Sequence, residues 1–306
     1  MSPRITRRGL LLIALGALLL SAGVAGLPSC NLPDESAQGG GKRPKVVQPA
    51  STPPTAAGRR KIEMPPPLPP QPKPDGQPQR PEDMKKLAAA AAAGKPDKRP
   101  GAFPIVVLDE NRRKIGETLV DLKARRIEVP ARVNMVQGIL EYVSCASTGK
   151  LHEAVLEQLD RPSHLHLALL LLNLEPTETA PDEKLGSRVV RLGNKVRVSV
   201  EVTDPKTGVA KRLPAEAWLY SRKRKGSPKA IEWVFQGSQF WNGDYSADQS
   251  KSVIGLVPDP TTVVGAVGNE GNPYQGMEGF EVFTKVIPPK GTPVTLIIEP
   301  VDPAKP

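Results

Sequence analysis

The chain has 306 residues, with 42 Lys and Arg against 32 Asp and Glu, a net charge of +10 and only two cysteines. Two thiols exclude a disulfide-stapled scaffold and a cysteine-ligated iron–sulfur cluster. The positive charge does not indicate a nucleic-acid-binding domain: residues 1–30 carry +3 and residues 31–103 carry +6, leaving +1 for residues 104–306, whereas polyanion recognition needs a basic patch on the folded part.

Residues 1–29 read as an export signal. Arg4, Arg7 and Arg8 precede an uncharged run from Leu10 to Leu27, followed by Leu27-Pro28-Ser29-Cys30. A basic start, an apolar stretch and small residues before a cut are the marks of such a leader. Cys30 sits where a bacterial lipoprotein carries its acylated first residue, so the expected anchor is a lipid on Cys30. Thr6-Arg7-Arg8-Gly9-Leu10-Leu11 also resembles a twin-arginine export address. Simple cleavage and an uncleaved membrane helix are the alternatives. All three put the rest of the chain on the periplasmic or extracytoplasmic side.

Residues 30–102 read as a disordered Pro- and Ala-rich tether. Residues 31–102 hold 16 of the 35 prolines and no Phe, Tyr or Trp, so they cannot bury enough apolar surface to offset the entropy of ordering. Met64 to Pro74 favours polyproline II. One exception runs from Pro81 through Glu82, Asp83 and an Ala run to Gly94. Pro and acids at the start with Gly at the end predict a helix, marginal in isolation.

From Phe103 all twelve aromatics appear, and residues 103–306 read as one domain. Strands are predicted at Ile105–Leu108, Thr118–Asp121, Arg126–Val129, Arg188–Leu192, Lys195–Val202 and Thr292–Ile298, mostly from period-two alternation. Gly138 to Glu157 reads as a hairpin turning at Ala146–Gly149. Pro162 to Leu174 predicts a helix with Ser163 as N-cap, apolar nearly all round and therefore buried. A short helix is expected at Pro214–Tyr220. The expected class is α+β, strand-rich with one buried central helix.

Three constellations could carry chemistry. In the hairpin register Glu141, Cys145 and His152 share a face, which allows a thiol site at Cys145 if an imidazole stabilises the thiolate. A divalent metal could use His152, His164 and His166 with Glu153 or Glu141, although His164 and His166 are two apart, on roughly opposite sides of a helix. The competing reading buries Cys145 as a small apolar residue and leaves the imidazoles in local hydrogen bonds. Third, Trp233, Phe235, Tyr245 and Asp248 could line a ligand pocket, or serve as core. The chain contains no Walker loop, Gly-x-Ser-x-Gly, CxxC or His-Glu-x-x-His.

His152-Glu153-Ala154, Pro162-Ser163-His164-Leu165-His166-Leu167-Ala168-Leu169-Leu170-Leu171, Trp233-Val234-Phe235-Gln236-Gly237-Ser238 and Tyr245-Ser246-Ala247-Asp248, in that order, resemble the YdjY-type domain family. The resemblance spans about residues 104–300 and implies an exported bacterial protein, without an established activity to carry over. Some relatives bear iron–sulfur cysteine motifs, which Cys30 and Cys145 cannot supply. The expected protein is thus an envelope lipoprotein. Its partners are the membrane through acylated Cys30 and a cell-wall polymer or envelope protein, with no nucleic acid. It presents a binding domain with no resident cofactor. The alternatives are a metal-dependent enzyme at His152, His164 and His166, and a thiol site at Cys145.

Overall fold

The computed structural model describes residues 77–301 apart from 98, 100, 183–186, 205–206, 269–270 and 272–278. The expected signal over 1–29, Cys30 and most of the tether lie outside the described residues. Those described belong to one compact unit, Leu68–Pro306.

The alternating segment Arg126–Val133 organises the architecture. Ile127, Val129, Ala131 and Val133 all point into the core. One edge of the strand pairs with Pro293–Pro300 along most of its length. Its other edge changes partner: Arg126 to Glu128 pair with Thr118–Asp121, while Ala131 to Val133 pair with Ala154–Gln158. Pro130, which has no N–H to contribute to a ladder, falls between those two partners.

This change of partner closes a barrel of eight strands. From Arg126–Val133 the order runs through Pro293–Pro300, Lys195–Thr203, Trp233–Phe235, Val264–Ala266, Ser252–Gly255, Tyr142–Ala146 and Ala154–Gln158, then back to the start. Closure removes the open edges at which strands aggregate. Ile105–Val107, Arg112–Ile115 and Thr118–Asp121 extend the sheet from Arg126–Val133. Val196, Val198 and Val200 face Pro300, Ile298 and Leu296 across the ladder and fill the core with Trp233 and Phe235.

The class is therefore mostly β, not α+β: the described helices have only 12, 10 and 5 residues. The Leu-rich helix dominates the sequence pattern because several barrel strands carry no alternation. Tyr142–Ala146, Ala154–Gln158, Trp233–Phe235 and Ser252–Gly255 are buried at every position, and such strands are hard to tell from other buried segments by period.

The helices are α1 (Pro81–Ala92), α2 (Pro162–Leu171) and α3 (Ser246–Ser250). In α2, nine of the ten residues are buried; the helix packs on α1 and on the strands of the sheet extension. Met84 and Ala91 of α1 are fully buried. The buried Arg113 guanidinium donates to Ala91 O at 2.8 Å and Ala92 O at 3.2 Å. It thereby pairs Ala92 O, which the helix end leaves open, and adds to the Gly94 N–H that Ala91 O accepts at 3.1 Å. α1 lies upstream of the domain start expected at Phe103, and its tertiary packing supplies what propensity alone leaves marginal.

Two local expectations are corrected. Tyr142–Ala146 and Ala154–Gln158 run parallel, with a 3-10 turn at Leu151–Glu153 in the connection, so this is no hairpin. Parallel neighbours usually need a connection of about a dozen residues or more; residues 147–153 return in seven. Ala215–Trp218 is a 3-10 turn, not an α-helix.

Candidate functional site at the start of the buried helix

The N-terminus of α2 is satisfied from outside its own sequence. Arg161 is the N-cap and makes no side-chain cap; Ser163, expected in that role, lies one residue inside Pro162. Asp248 of α3 reaches across instead. Its Oδ1 accepts the Ser163 N–H at 2.9 Å, and its Oδ2 accepts the Ser163 hydroxyl at 2.7 Å and the Arg161 guanidinium at 2.6 Å. A carboxylate is favoured here because the free N–H groups and the helix dipole both attract negative charge.

Asp160 does a second part of this work. Its Oδ2 accepts the N–H groups of Glu117 and Thr118 and the Thr118 hydroxyl, at 3.0, 2.8 and 2.6 Å. Its Oδ1 accepts the Arg161 N–H at 2.8 Å and lies 2.5 Å from His164 Nδ1. Burial alone pushes this carboxyl up, but His164, Thr118 and the Arg161 N–H outweigh it and hold the pKa below its ordinary value. A carboxylate can only accept, so His164 Nδ1 carries the proton. His164 Nε2 is buried without a hydrogen-bond partner among the described residues, and the ring meets Phe103 edge-on at 5.2 Å. Gly116 makes the approach possible: a Cβ there would lie 2.2 Å from His164 Nδ1 and 2.7 Å from Asp160 Oδ1, and its φ is +57°.

His166 points elsewhere. Its Nδ1 is 2.7 Å from the Tyr245 hydroxyl, which lies 3.0 Å from Gly237 O. Phe235 and Tyr245 meet the imidazole edge-on, with centroids 5.0 and 5.3 Å away. Burial lowers the His166 pKa to about 4 and pushes the Tyr245 phenol well above its usual range. Both are neutral near pH 7.

Of the four residues expected to line a pocket, two do so. Trp233 and Phe235 are barrel core, Trp233 donating from Nε1 to Glu216 Oε1 at 2.9 Å. Tyr245 and Asp248 reach a cavity of about 280 Å³, whose wall also includes Phe103, Arg161 and Ser163. This cavity adjoins a larger cleft of about 900 Å³, the two sharing Gln77, Pro78 and Gly243. The cleft runs between the Gln77–Arg99 segment with α1 and the turn of the Phe240–Trp241 and Asp244–Tyr245 hairpin. Sequence reasoning missed this groove because Gln77–Arg99 has the composition of a tether; only the capped helix inside it signalled order.

The expected metal set does not come together. His152 is largely exposed, 3.3 Å from Glu153 on the 3-10 turn. His164 is held by Asp160 and His166 by Tyr245. Among the described residues no three His, Cys, Asp or Glu side chains are grouped to hold an ion. Glu153 has its pKa raised, chiefly by burial and then by neighbouring Glu141. Cys145 is fully buried, and desolvation pushes its thiol up to about 12, the opposite of what a nucleophile needs. The parallel pairing sets Cys145 beside Glu157, not His152.

The segment Pro162–Leu171 is distant in sequence from Trp233–Ser238 and Tyr245–Asp248, and the three meet at this one place through Ser163–Asp248 and His166–Tyr245–Gly237 contacts. No curated protein and no solved structure matches the chain. A family model described as YdjY domain matches residues 118–299, well over half the chain and all the strands of the barrel. By that match, and by the way its motif segments converge on the start of α2, the chain belongs to the YdjY domain family.

Proposed function

We propose that this protein is an envelope lipoprotein, held to a membrane by lipid on Cys30, whose barrel binds an envelope polymer or protein in the groove beside α2. The observation that carries the binding reading is a solvent-open groove with Tyr245 and Asp248 in its inner wall, in a domain whose His166, behind Tyr245, and Cys145, elsewhere in the barrel, are kept unreactive. Tyr245 and Asp248 wall the inner cavity, while His166 is neutral with a pKa near 4 and the Cys145 thiol is protonated with a pKa near 12. A general acid or base works best near the ambient pH, and these groups lie far from it. The basic leader, its apolar run and the placement of Cys30 support export and acylation. More than one acyl chain on that cysteine gives stable anchorage.

Two measurements test the two halves separately. Cys30→Ser is expected to move the protein from the membrane to the soluble fraction; retention in the membrane refutes the lipid anchor in favour of an uncleaved helix. Gln249 is exposed and lines the inner cavity, so Gln249→Trp fills it at little cost to the fold. Co-sedimentation with insoluble envelope material is expected for the parent and reduced for Gln249→Trp. Equal co-sedimentation of the two removes the groove from the reading.

A further inference from the structure

The cleft differs in chemistry from a pocket for an apolar small molecule. At about 900 Å³ it has the size of a ligand site, yet such sites are lined mainly by apolar and aromatic groups. Here no aromatic ring lines the wall, and apolar stretches at Leu87 and Ala90 alternate with amide and charge at Gln77, Arg80, Lys86, Lys95, Arg99 and Asn242. Two carboxylates are also present, and each has its cation: Asp97 accepts Arg99 at 2.7 Å, and Asp83 lies 3.8 Å from Arg80. Lys86 and Lys95 make no ion pair among the described residues, so the cleft keeps a positive surplus. A concave wall focuses such a field on an anion.

Asn242 and Gly243 line the cleft, and the residue before them, Trp241, is the most exposed large apolar side chain among the described residues, at 71%. It pairs with Asp244 across a two-residue Asn242-Gly243 turn. Both turn residues have positive φ, 49° and 75°, the conformation of a tight hairpin whose twist fits its strands. Phe240 and Tyr245, the next cross-strand pair, are in ring contact at 5.1 Å on the other face. The hairpin is thus braced from below and displays the indole outward. Bracing lowers the entropy lost when a ligand covers the ring.

We infer that this cleft binds an acidic glycan: a chain of sugar rings carrying carboxylates, with a ring face on Trp241 and its acid groups on Lys86 and Lys95. This rests on the binding reading above and names its ligand class. A sugar ring has an apolar face and a rim of hydroxyls, which matches a flat indole beside amide donors and acceptors. The unpaired lysines select an anionic chain over a neutral one. An uncharged acyl chain leaves the cations in the wall without a partner, and a flat bilayer does not enter a concave cleft. A single-stranded nucleic acid also uses aromatic stacking and cations, but through successive stacking platforms, and no aromatic ring lines this cleft beyond Trp241 next to its turn.

The test uses the full chain with oligogalacturonate as probe, read by calorimetry and tryptophan fluorescence. Neutral malto-oligosaccharide, polyaspartate and oligothymidylate of similar length serve as comparisons. Oligogalacturonate is expected to bind more tightly than all three. Trp241→Ala is expected to weaken it about tenfold, the scale of one aromatic contact. Lys86→Glu with Lys95→Glu is expected to weaken it further and flatten its salt dependence. Trp241 is exposed, so thermal midpoints stay within a degree or two and report that the fold is intact. Equal binding of polyaspartate with no effect of Trp241→Ala, tighter binding of oligothymidylate, or no binding of oligogalacturonate each overturns the inference. If that happens while co-sedimentation stays sensitive to Gln249→Trp, the ligand class has failed and the binding reading stands; loss of both sinks both.

Discussion

Asp160→Asn probes the joint on which the site is built. The carboxylate accepts five hydrogen bonds, three at Oδ2 and two at Oδ1. Asparagine keeps the shape but replaces one acceptor with a donor. If its carbonyl stays toward Glu117 and Thr118, those three bonds survive without charge assistance, each weaker by about 1 kcal/mol. The new amide then faces the Arg161 N–H, donor against donor, while His164 can accept it only by moving its proton to Nε2. The sum is a loss of about 3–5 kcal/mol, three weakened bonds plus the donor left without an acceptor at Arg161. That is a large part of the ~5–15 kcal/mol that holds a domain together.

The pH dependence has a definite sign. The Asp160 pKa is lowered in the folded state, so its contribution is complete above the unfolded carboxyl value of about 4 and is lost as pH falls through the lower folded value. Urea denaturation followed by tryptophan fluorescence is a suitable assay, because Trp218 and Trp233 are buried. The gap between wild type and Asp160→Asn should be full at about pH 6 and narrow below about pH 4. A gap under about 1 kcal/mol at pH 6, or one that persists unchanged into acid, would refute the reasoning.

Two other predictions follow from burial. Cys145 should resist iodoacetamide in the native protein and react once the chain is unfolded; labelling of native protein would show that the strand opens. Arg113→Ala removes the donors to Ala91 O and Ala92 O, leaving Ala91 O with the Gly94 N–H at 3.1 Å and Ala92 O with no partner among the described residues. It should cost about 1–3 kcal/mol and raise protease cleavage within residues 81–102, whereas unchanged cleavage would mean that Met84 and Ala91 packing alone holds α1.

Much of the secondary structure is legible where a single face is buried. The period-two runs at Arg126, Lys195 and Thr292 become the long strands Arg126–Val133, Lys195–Thr203 and Pro293–Pro300, because one side meets the core and the other meets water. The helix from Pro162 is legible from Pro and an unbroken Leu run. The site is only half legible. Tyr245 and Asp248 were identified with Trp233 and Phe235, but composition cannot tell an aromatic that lines a cavity from one that fills a core. Asp160, Gly116 and Arg161 carried no motif of their own, since their roles depend on partners that lie 43 and 87 residues away in sequence.

What the sequence determined by itself is local: which segments have an apolar face, where Pro and Gly start and stop a helix, and the family motifs. What the tertiary structure decided is everything that depends on closure. The parallel return from Ala146 to Ala154 separates Cys145 from His152, and the barrel turns an apparent α+β pattern into a mostly β fold. The packing of α1 builds one wall of a groove from residues that read as tether. Side-chain periodicity reports how each segment meets water, whereas strand partners and cavity walls are set by contacts between distant segments, which no local pattern encodes.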